Sequence, residues 1–221
     1  MQAQNTIEVQ NSLGTLSRVA TTLRPFNFGT VSVKGSPFIM PGWTRGEVTL
    51  QSGRKLTTGH FNYDALERQV TVKTSARDSV RYQGTDVSQL LLQPSANHEP
   101  IIFEHLSNLI TDDAALKDEL VRIIHRGTYL LVQLPVKKFL KTSASQTYGG
   151  DARVGDEYYD ASVYYLVRPD HTAEQVKLNR RSLVRALKEK GPALEDFLKT
   201  NNIDLADELD IAKALASLDQ K

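Results

Sequence analysis

Residues 46–73, GEVTLQSGRKLTTGHFNYDALERQVTVK, show the period-two alternation of apolar and polar residues that is typical of β-strands. Residues 47–50 run into the turn-forming residues 51–54, after which the alternation resumes. Val70 and Val72 alternate with polar neighbours, as expected for a strand that is buried on one face. This stretch predicts an antiparallel hairpin followed by further short strands.

Short apolar segments separated by turns continue the pattern toward the C-terminus. They predict strands at residues 61–64, 68–73, 79–82, 87–93 and 101–106. Residues 120–125 and 128–133 flank Gly127, and this arrangement favours a hairpin. A helix over residues 113–124 is the competing interpretation, because its apolar residues also recur at helical spacing. The turn signal at Gly127 makes the hairpin the preferred prediction.

Residues 142–155 are polar and rich in glycine, so they predict a loop. Residues 158–167 then predict one strand, because apolar side chains alternate along it. These side chains are Tyr159, Ala161, Val163, Tyr165 and Val167. Residues 175–178 are predicted to pair back onto this strand after a turn at residues 168–171.

The C-terminal tail has the pattern of three short helices. Asn179 is predicted to cap the first and Gly191 to end it, while Pro192 suits the first turn of the second, which stops near residues 201–202. Asp204 precedes the third. Their apolar positions are Leu183, Val184 and Leu187, then Leu194, Phe197 and Leu198, then Leu205, Leu209, Ile211, Leu215 and Leu218. Helices this short are marginal in isolation, so we expect them to dock on the β body or on a partner.

These elements predict an α+β protein. Its mainly antiparallel β body is a meander or barrel-like, and a C-terminal tail of three short helices follows. The prolines at positions 94 and 100 mark the best internal break. The expected organisation is an N-terminal lead-in, a β-meander, a second β-rich stretch that forms either its own domain or one with the first, and a helical segment. The corresponding boundaries are residues 1–34, 35–96, 97–178 and 179–221.

Composition excludes several classes of protein. The 27 basic and 26 acidic side chains leave a net charge of +1, so no global field favours nucleic acid as a partner. No run approaches the ~18 apolar residues that span a bilayer, so the chain is not expected to be an integral membrane protein. The absence of cysteine removes disulfides, thiolate metal sites and cysteine nucleophiles.

Sequence motifs for catalysis or cofactor binding are missing. The chain has no serine elbow, phosphate-binding loop or His-Glu-x-x-His run, and no cofactor is predicted. The five histidines are His60, His98, His105, His125 and His171. His98-Glu99 with Glu104-His105 is a weak candidate for a metal site, and the carboxylates of residues 148–157 are a weak candidate for calcium, which Arg153 opposes. No catalytic or metal-binding residue is assigned, and catalysis is disfavoured.

Aromatic side chains are the remaining candidates for recognition. Trp43 is the only tryptophan and lies in a loop after Pro41-Gly42, whereas Tyr148, Tyr158 and Tyr164 are candidates for exposed faces. Rigid amphipathic rings suit the binding of proteins or sugars. Local core packing is the alternative for each ring.

The N-terminal residues 1–6 are polar and have neither a basic nor an apolar signal region. They fit a native cytosolic start, or a mature exported chain to which a start Met has been added.

Three parts of the sequence resemble a family of exported proteins common in Bacteroidota that has no known activity. The resemblance is carried by residues 35–38, Trp43, 46–50, Gly53 and 61–64, then by 123–127, 130–131 and 137–138, and finally by 164–165, 177–183 and the acidic-aliphatic helix after Asp204. It implies removal of a signal peptide and a periplasmic, cell-surface or secreted location, with the cytoplasm as the alternative.

The expected function is therefore an exported, non-enzymatic binding or scaffolding module of the cell envelope, whose partner is an envelope protein or glycan. The helical tail completes the core or mediates self-association into a homo-oligomer. The alternative is a hydrolase that acts on an envelope polymer through dispersed carboxylate and histidine residues. A third hypothesis is intracellular regulation through the tail helices.

Overall fold

Antiparallel strands form most of the body, for which the computed structural model describes residues 33–95, 99–141, 155–201 and 203–219. In chain order the strands are β1 (Arg45–Leu50), β2 (Lys55–Leu56), β3 (His60–Asp64), β4 (Gln69–Lys73), β5 (Ser79–Gln83), β6 (Val87–Gln93), β7 (Ile101–Glu104), β8 (Val121–His125), β9 (Leu130–Leu134), β10 (Lys137–Leu140), β11 (Glu157–Asp160), β12 (Val163–Val167) and β13 (Ala173–Val176).

Eight of these strands form one sheet in the order β13-β12-β9-β8-β7-β6-β1-β2. All its neighbouring strands are antiparallel. Because β13 and β2 lie at its two edges, the sheet is open rather than barrel-like. The strands β3-β4-β5 form a separate antiparallel meander, and β10 pairs with β11 in a two-stranded ribbon.

Three helices follow the last strand, as the sequence predicts, and a further short helix lies between β7 and β8. The described α-helices are α1 (Ala114–Asp118), α2 (Arg180–Leu187), α3 (Gly191–Thr200) and α4 (Glu208–Asp219). The side chain of Asn179 caps α2 by accepting a hydrogen bond from the Ser182 N–H at 3.0 Å. None of these helices combines the length and apolar character needed to cross a bilayer.

One face of the large sheet can be traced through its register. Leu90 lies opposite Phe103, Phe103 opposite Arg122, Arg122 opposite Gln133, and Gln133 opposite Tyr164. Residues directly opposite one another share a face, so this single face extends from β6 to β12. Two different layers cover it.

The first layer is the meander β3-β4-β5, called here the meander cover. Its inward side chains Phe61, Tyr63, Val70 and Val72 form a buried cluster with Val48, Leu90, Leu92 and Phe103 of the sheet. The second layer is α2, α3 and α4, called here the helical cover. Its residues Leu183, Leu187, Leu194, Ile211 and Leu215 are buried with Leu131, Leu166 and Val176 of the sheet. The opposite face is covered in part by α1, where Leu116 clusters with Val121, Val132 and Tyr165.

Carboxylates anchor both ends of α4 to the sheet. Glu208 lies 2.8 Å from an Arg122 nitrogen and accepts a 2.7 Å hydrogen bond from the Tyr164 hydroxyl. Asp219 accepts a 2.8 Å hydrogen bond from the Thr128 N–H. A Cβ on Gly127 would overlap the Asp219 carboxylate. The predicted turn glycine is therefore needed for the close approach of the last helix.

The hairpin prediction around Gly127 is confirmed, because β8 pairs with β9. The helical spacing of the competing interpretation corresponds to α1, which ends before β8 begins. The strands predicted within residues 46–73 are confirmed as antiparallel. They belong to two sheets, because β1 and β2 are part of the large sheet whereas β3 and β4 are part of the meander. The predicted break near residues 94–100 lies between β6 and β7, which pair with each other.

Three element predictions need correction. Residues 158–167 are not one strand, because Asp160 accepts a hydrogen bond from the Ser162 N–H and this turn separates β11 from β12. Gly191 does not end the first tail helix. It is the first residue of α3, and it lies so close to α2 that a Cβ would be 2.6 Å from the Val184 carbonyl oxygen.

The third tail helix begins at Glu208, later than Asp204 predicted. Asp207 provides the capping interaction by accepting a hydrogen bond from the Leu209 N–H at 2.9 Å. Leu205 consequently precedes the helix, and Leu209 is 66% exposed rather than part of the apolar stripe.

Candidate functional site

Trp43 is the predicted recognition residue that the structure places at an open groove. It immediately precedes Thr44, which pairs with Phe61 of β3 through a 2.7 Å hydrogen bond from the Phe61 N–H to the Thr44 carbonyl. The side chain of Trp43 is 39% exposed, and its ring packs against Phe38 with 5.6 Å between the ring centroids. The indole is therefore held by its neighbours and remains open to a ligand.

A buried amide fixes the loop that carries Trp43. Asn62 is only 2% exposed, and its Nδ2 donates 3.0 Å hydrogen bonds to the carbonyls of Met40 and Gly42. Its Oδ1 accepts a hydrogen bond from the Met40 N–H at 3.1 Å. Because these bonds join the loop to β3, the position of the indole is set before any ligand arrives.

The groove beside the indole has a volume of about 460 Å³. Its lining consists of Trp43, His60, Lys73, Thr74, Ser75 and Ala76. His60 and Lys73 are paired residues at the same end of β3 and β4. The Lys73 Nζ lies 5.7 Å from the centroid of the Trp43 ring, within the range of a cation–π contact. This end of the meander cover thus combines an aromatic ring with a cation.

The polar side chains of the groove differ in whether they already form hydrogen bonds or ion pairs with other described residues. Ser75 donates a 2.9 Å hydrogen bond to the Asp78 carboxylate, and the Thr74 hydroxyl bonds to the Asp78 carbonyl. Lys73 has no ion-pair partner among the described residues, and His60 has no hydrogen-bond partner there. The groups that remain available to a ligand are therefore an ammonium, an imidazole and part of an indole.

The other predicted aromatic candidates lie apart from this groove. Tyr158 packs against Phe139 with 4.7 Å between ring centroids, and burial, followed by the charges of Asp64 and Glu67, raises its pKa. Tyr164 anchors Glu208, and burial together with that hydrogen bond raises its pKa. Tyr148 lies outside the described residues.

The weak metal candidates are not assembled in the described part of the chain. The His105 Nε2 lies 3.0 Å from the Gly84 carbonyl, and Glu104 is paired with Arg126. His98 and most of residues 148–157 lie outside the described residues. Within the described ranges, no group of three or more histidine or carboxylate side chains is placed to hold a metal ion.

Adjacent carboxylates, at residues 112–113 and 156–157, are the acidic pairs that a hydrolase could use, and at least one member of each pair has a structural partner. Asp113 caps α1 and accepts a hydrogen bond from the Tyr165 hydroxyl. Glu157 lies 3.0 Å from the Lys34 Nζ. Asp112 and Asp156 add no convergent carboxylate to the Trp43 groove, whose lining contains none.

Sequence reasoning did not assign Asn62, His60 or Lys73 to a binding site. Strand alternation does place His60 and Asn62 on one face of β3, which is a usable signal. The pairing of His60 with Lys73 depends on register across β3 and β4, and the position of Trp43 beside them depends on the loop before β1. Neither is visible in a single local window.

No protein-family model, curated protein or solved structure matches this chain, so its site is interpreted from geometry.

Proposed function

We propose that this protein is an exported, non-enzymatic binding module of the cell envelope that binds a glycan through the Trp43 groove. The observation that carries the proposal is the half-exposed indole, which Asn62 fixes in an open groove beside Lys73, a cation with no carboxylate partner among the described residues. An aromatic ring offers an apolar surface to the C–H face of a sugar, while neighbouring polar groups bind its oxygens.

The size of the groove favours a glycan over a protein as the ligand. A volume of about 460 Å³ falls within the ~300–1,000 Å³ of small-ligand sites. A stable protein interface buries about 800 Å² on each partner, which is far more than one indole and its neighbours offer. A short stretch of an oligosaccharide is therefore the better match.

Binding is also better supported than hydrolysis. A glycoside hydrolase uses two carboxylates that flank the scissile bond, and a serine hydrolase needs a base beside the nucleophile. The groove lining holds no carboxylate, and the Ser75 hydroxyl already donates to Asp78. No observation specifically favours the hydrolase alternative.

Matched substitutions test the recognition site. Trp43→Ala removes an aromatic side chain that is 39% exposed, and Phe139→Ala removes one that is 40% exposed elsewhere in the fold. We expect Trp43→Ala to weaken binding to insoluble peptidoglycan or to soluble envelope oligosaccharides by about tenfold or more, as for an aromatic hot spot. Co-sedimentation and isothermal titration calorimetry measure the effect. Equal binding by both variants, or no binding by the unmodified chain, contradicts the proposal.

The envelope location rests on the family resemblance and has its own test. Fractionation of the native organism followed by immunodetection is expected to recover the protein with the envelope or the medium. Recovery only with the cytosol contradicts an exported module and favours intracellular regulation.

A further inference from the structure

We propose that the Trp43 groove selects an acidic sugar, a pyranose ring that bears a carboxylate. This inference rests on the proposed function and adds the charge of the ligand. Its basis is the pair of polar residues beside the indole, Lys73 and His60, whose side chains form no ion pair or hydrogen bond with other described residues.

Lys73 is the first of these two residues. Its Nζ lies beside the indole and has no carboxylate partner among the described residues. Lys55 and Lys137, by contrast, lie 2.8 Å and 3.0 Å from carboxylate oxygens. The ammonium at the groove is thus available to an anion supplied by a ligand.

The carboxylate of the adjoining turn, Asp78, forms no ion pair with Lys73. One of its oxygens accepts a hydrogen bond from the Ser75 hydroxyl at 2.9 Å, and its own N–H donates to the Ser75 oxygen at 3.1 Å. These bonds hold Asp78 and Ser75 within the turn that connects β4 and β5.

His60 supplies a second polar group on the same side. It pairs with Lys73 across β3 and β4, and its exposed imidazole has no hydrogen-bond partner among the described residues. An imidazole donates at least one hydrogen bond in either tautomer. A ligand rich in acceptor oxygens therefore fits this pair better than one rich in donors.

A sugar carboxylate supplies the counter-ion that Lys73 lacks among the described residues. In a uronic acid the carboxylate is bonded directly to the pyranose ring, so a ring that contacts the part of Trp43 not covered by Lys73 can place its carboxylate next to that ammonium. A neutral sugar makes the same contact with the indole but leaves the ammonium without a counter-ion. The charge of the ligand is therefore expected to make the acidic sugar bind more tightly than the neutral one.

Trp43 is the only tryptophan in the chain, so its fluorescence reports directly on the groove. The full chain is titrated with oligogalacturonate and with a neutral galacto-oligosaccharide of equal length. We expect the acidic oligosaccharide to bind at least tenfold more tightly, and we expect added salt to reduce this preference. Lys73→Gln, which keeps a polar side chain without charge, is expected to abolish the preference, so that the ratio of the two affinities falls to about one. Lys138→Gln, at an exposed lysine of β10 outside the groove, is the control for net charge and is expected to bind like the parent chain.

Equal affinity for the two oligosaccharides, unchanged in Lys73→Gln, overturns the charge inference and leaves glycan binding standing. An equal loss in Lys73→Gln and Lys138→Gln overturns it as well, because the effect is then one of net charge. The absence of a response to either oligosaccharide, together with no retention on insoluble peptidoglycan, overturns the proposed function itself.

Discussion

The meander cover and the helical cover lie on the same face of one sheet but are held there differently. The meander cover is held mainly by apolar contacts such as that between Tyr63 and Phe103, whose ring centroids are 5.4 Å apart. Its one ion pair to the rest of the body among the described residues joins Arg68 to Glu119 at 2.8 Å, and Arg68 is 46% exposed. The helical cover is anchored by carboxylates at both ends of its last helix, because Glu208 bonds to β8 and β12 and Asp219 bonds to the β8–β9 hairpin.

This difference follows from the kind of secondary structure in each cover. A three-stranded meander satisfies much of its backbone within its own ladder, whereas helices of 8, 10 and 12 residues are marginal without tertiary contacts. The helical cover is therefore expected to stabilise the second half of the sheet. The proposed recognition site lies at the outer end of the meander cover, where Asn62 fixes the loop of Trp43.

Removal of residues 179–221, which contain the whole helical cover, is expected to have the largest effect on stability. It uncovers Leu131, Leu166 and Val176 of the sheet, and exposure of this surface is expected to lower the melting temperature by more than about 10 °C or to prevent folding. Thermal unfolding followed by circular dichroism measures the change. Leu209→Ala, at a position 66% exposed, is the control and is expected to melt like the parent. An unchanged melting curve for the truncated chain contradicts the assignment of a stabilising role to the helical cover.

Asn62→Ala tests how the meander cover holds its recognition loop. The substitution leaves the Met40 and Gly42 carbonyls without their 3.0 Å donor, and we expect a loss of about 2–3 kcal/mol in the free energy of unfolding. Trp43 emission is expected to shift toward that of a solvated indole, because the loop is no longer fixed. Denaturant titration gives the stability, and the emission spectrum reports on the loop. Parent-like emission in this variant rules out the proposed role of Asn62.

Glu208→Gln tests the anchor of the helical cover and is expected to have a smaller effect. The ion pair with Arg122 is weakened while the hydrogen bond from Tyr164 is retained in part, so the expected loss is about 1–2 kcal/mol. This figure allows for solvent screening, since the two side chains are 22% and 25% exposed. Trp43 emission in the folded state is expected to stay unchanged. A shift in that emission would show that the helical cover affects the surroundings of Trp43, which contradicts the expectation that Glu208 acts only on the helical cover.

Alkaline pH is expected to lower the free energy of unfolding through one tyrosine at each cover. At neutral pH these tyrosines are protonated in both the folded and the unfolded chain, so no such loss is expected there. Burial raises the pKa of Tyr63 in the meander cover and of Tyr164 in the helical cover. A raised folded-state pKa means that the protonated form is favoured in the folded chain. The associated stability is fully present below the ordinary tyrosine value near 10 and is lost as the pH rises above it.

Tyr63→Phe and Tyr164→Phe are each expected to reduce this alkaline loss relative to the parent chain. Unfolding midpoints measured from pH 8 to pH 11 (about one unit beyond the ordinary tyrosine pKa) provide the comparison. If the unfolding midpoint falls equally with rising pH in the parent and in both variants, these two tyrosines are not the cause of the alkaline loss of stability.

Local signals account for the elements that were predicted well. The alternation of Val70 and Val72 marks β4, Gly127 marks the hairpin, and Asn179 marks the start of α2. Each signal depends on residues that are close in sequence. The antiparallel β body and the C-terminal helices follow from such signals alone.

The remaining features depend on contacts between distant residues. The split of residues 158–167 reflects a turn at Asp160 and Ser162 that the strand pattern conceals, and Gly191 is required by the approach of α2 to α3. Trp43 is recognisable as a candidate from the sequence, but the pairing of His60 with Lys73 beside it requires the strand register. Local reasoning therefore identified one member of the groove and missed the polar groups around it.

Two unlike covers share one face of the sheet, and we expect them to unfold as one cooperative unit. Leu120 is buried in the core of the meander cover, and Arg122 two residues later anchors the helical cover, so the two layers are joined through β8. Guanidinium unfolding monitored by Trp43 fluorescence and by far-UV circular dichroism reports on the meander cover and on the helices separately. We expect coincident transitions with a single midpoint. Two resolved midpoints would contradict this expectation.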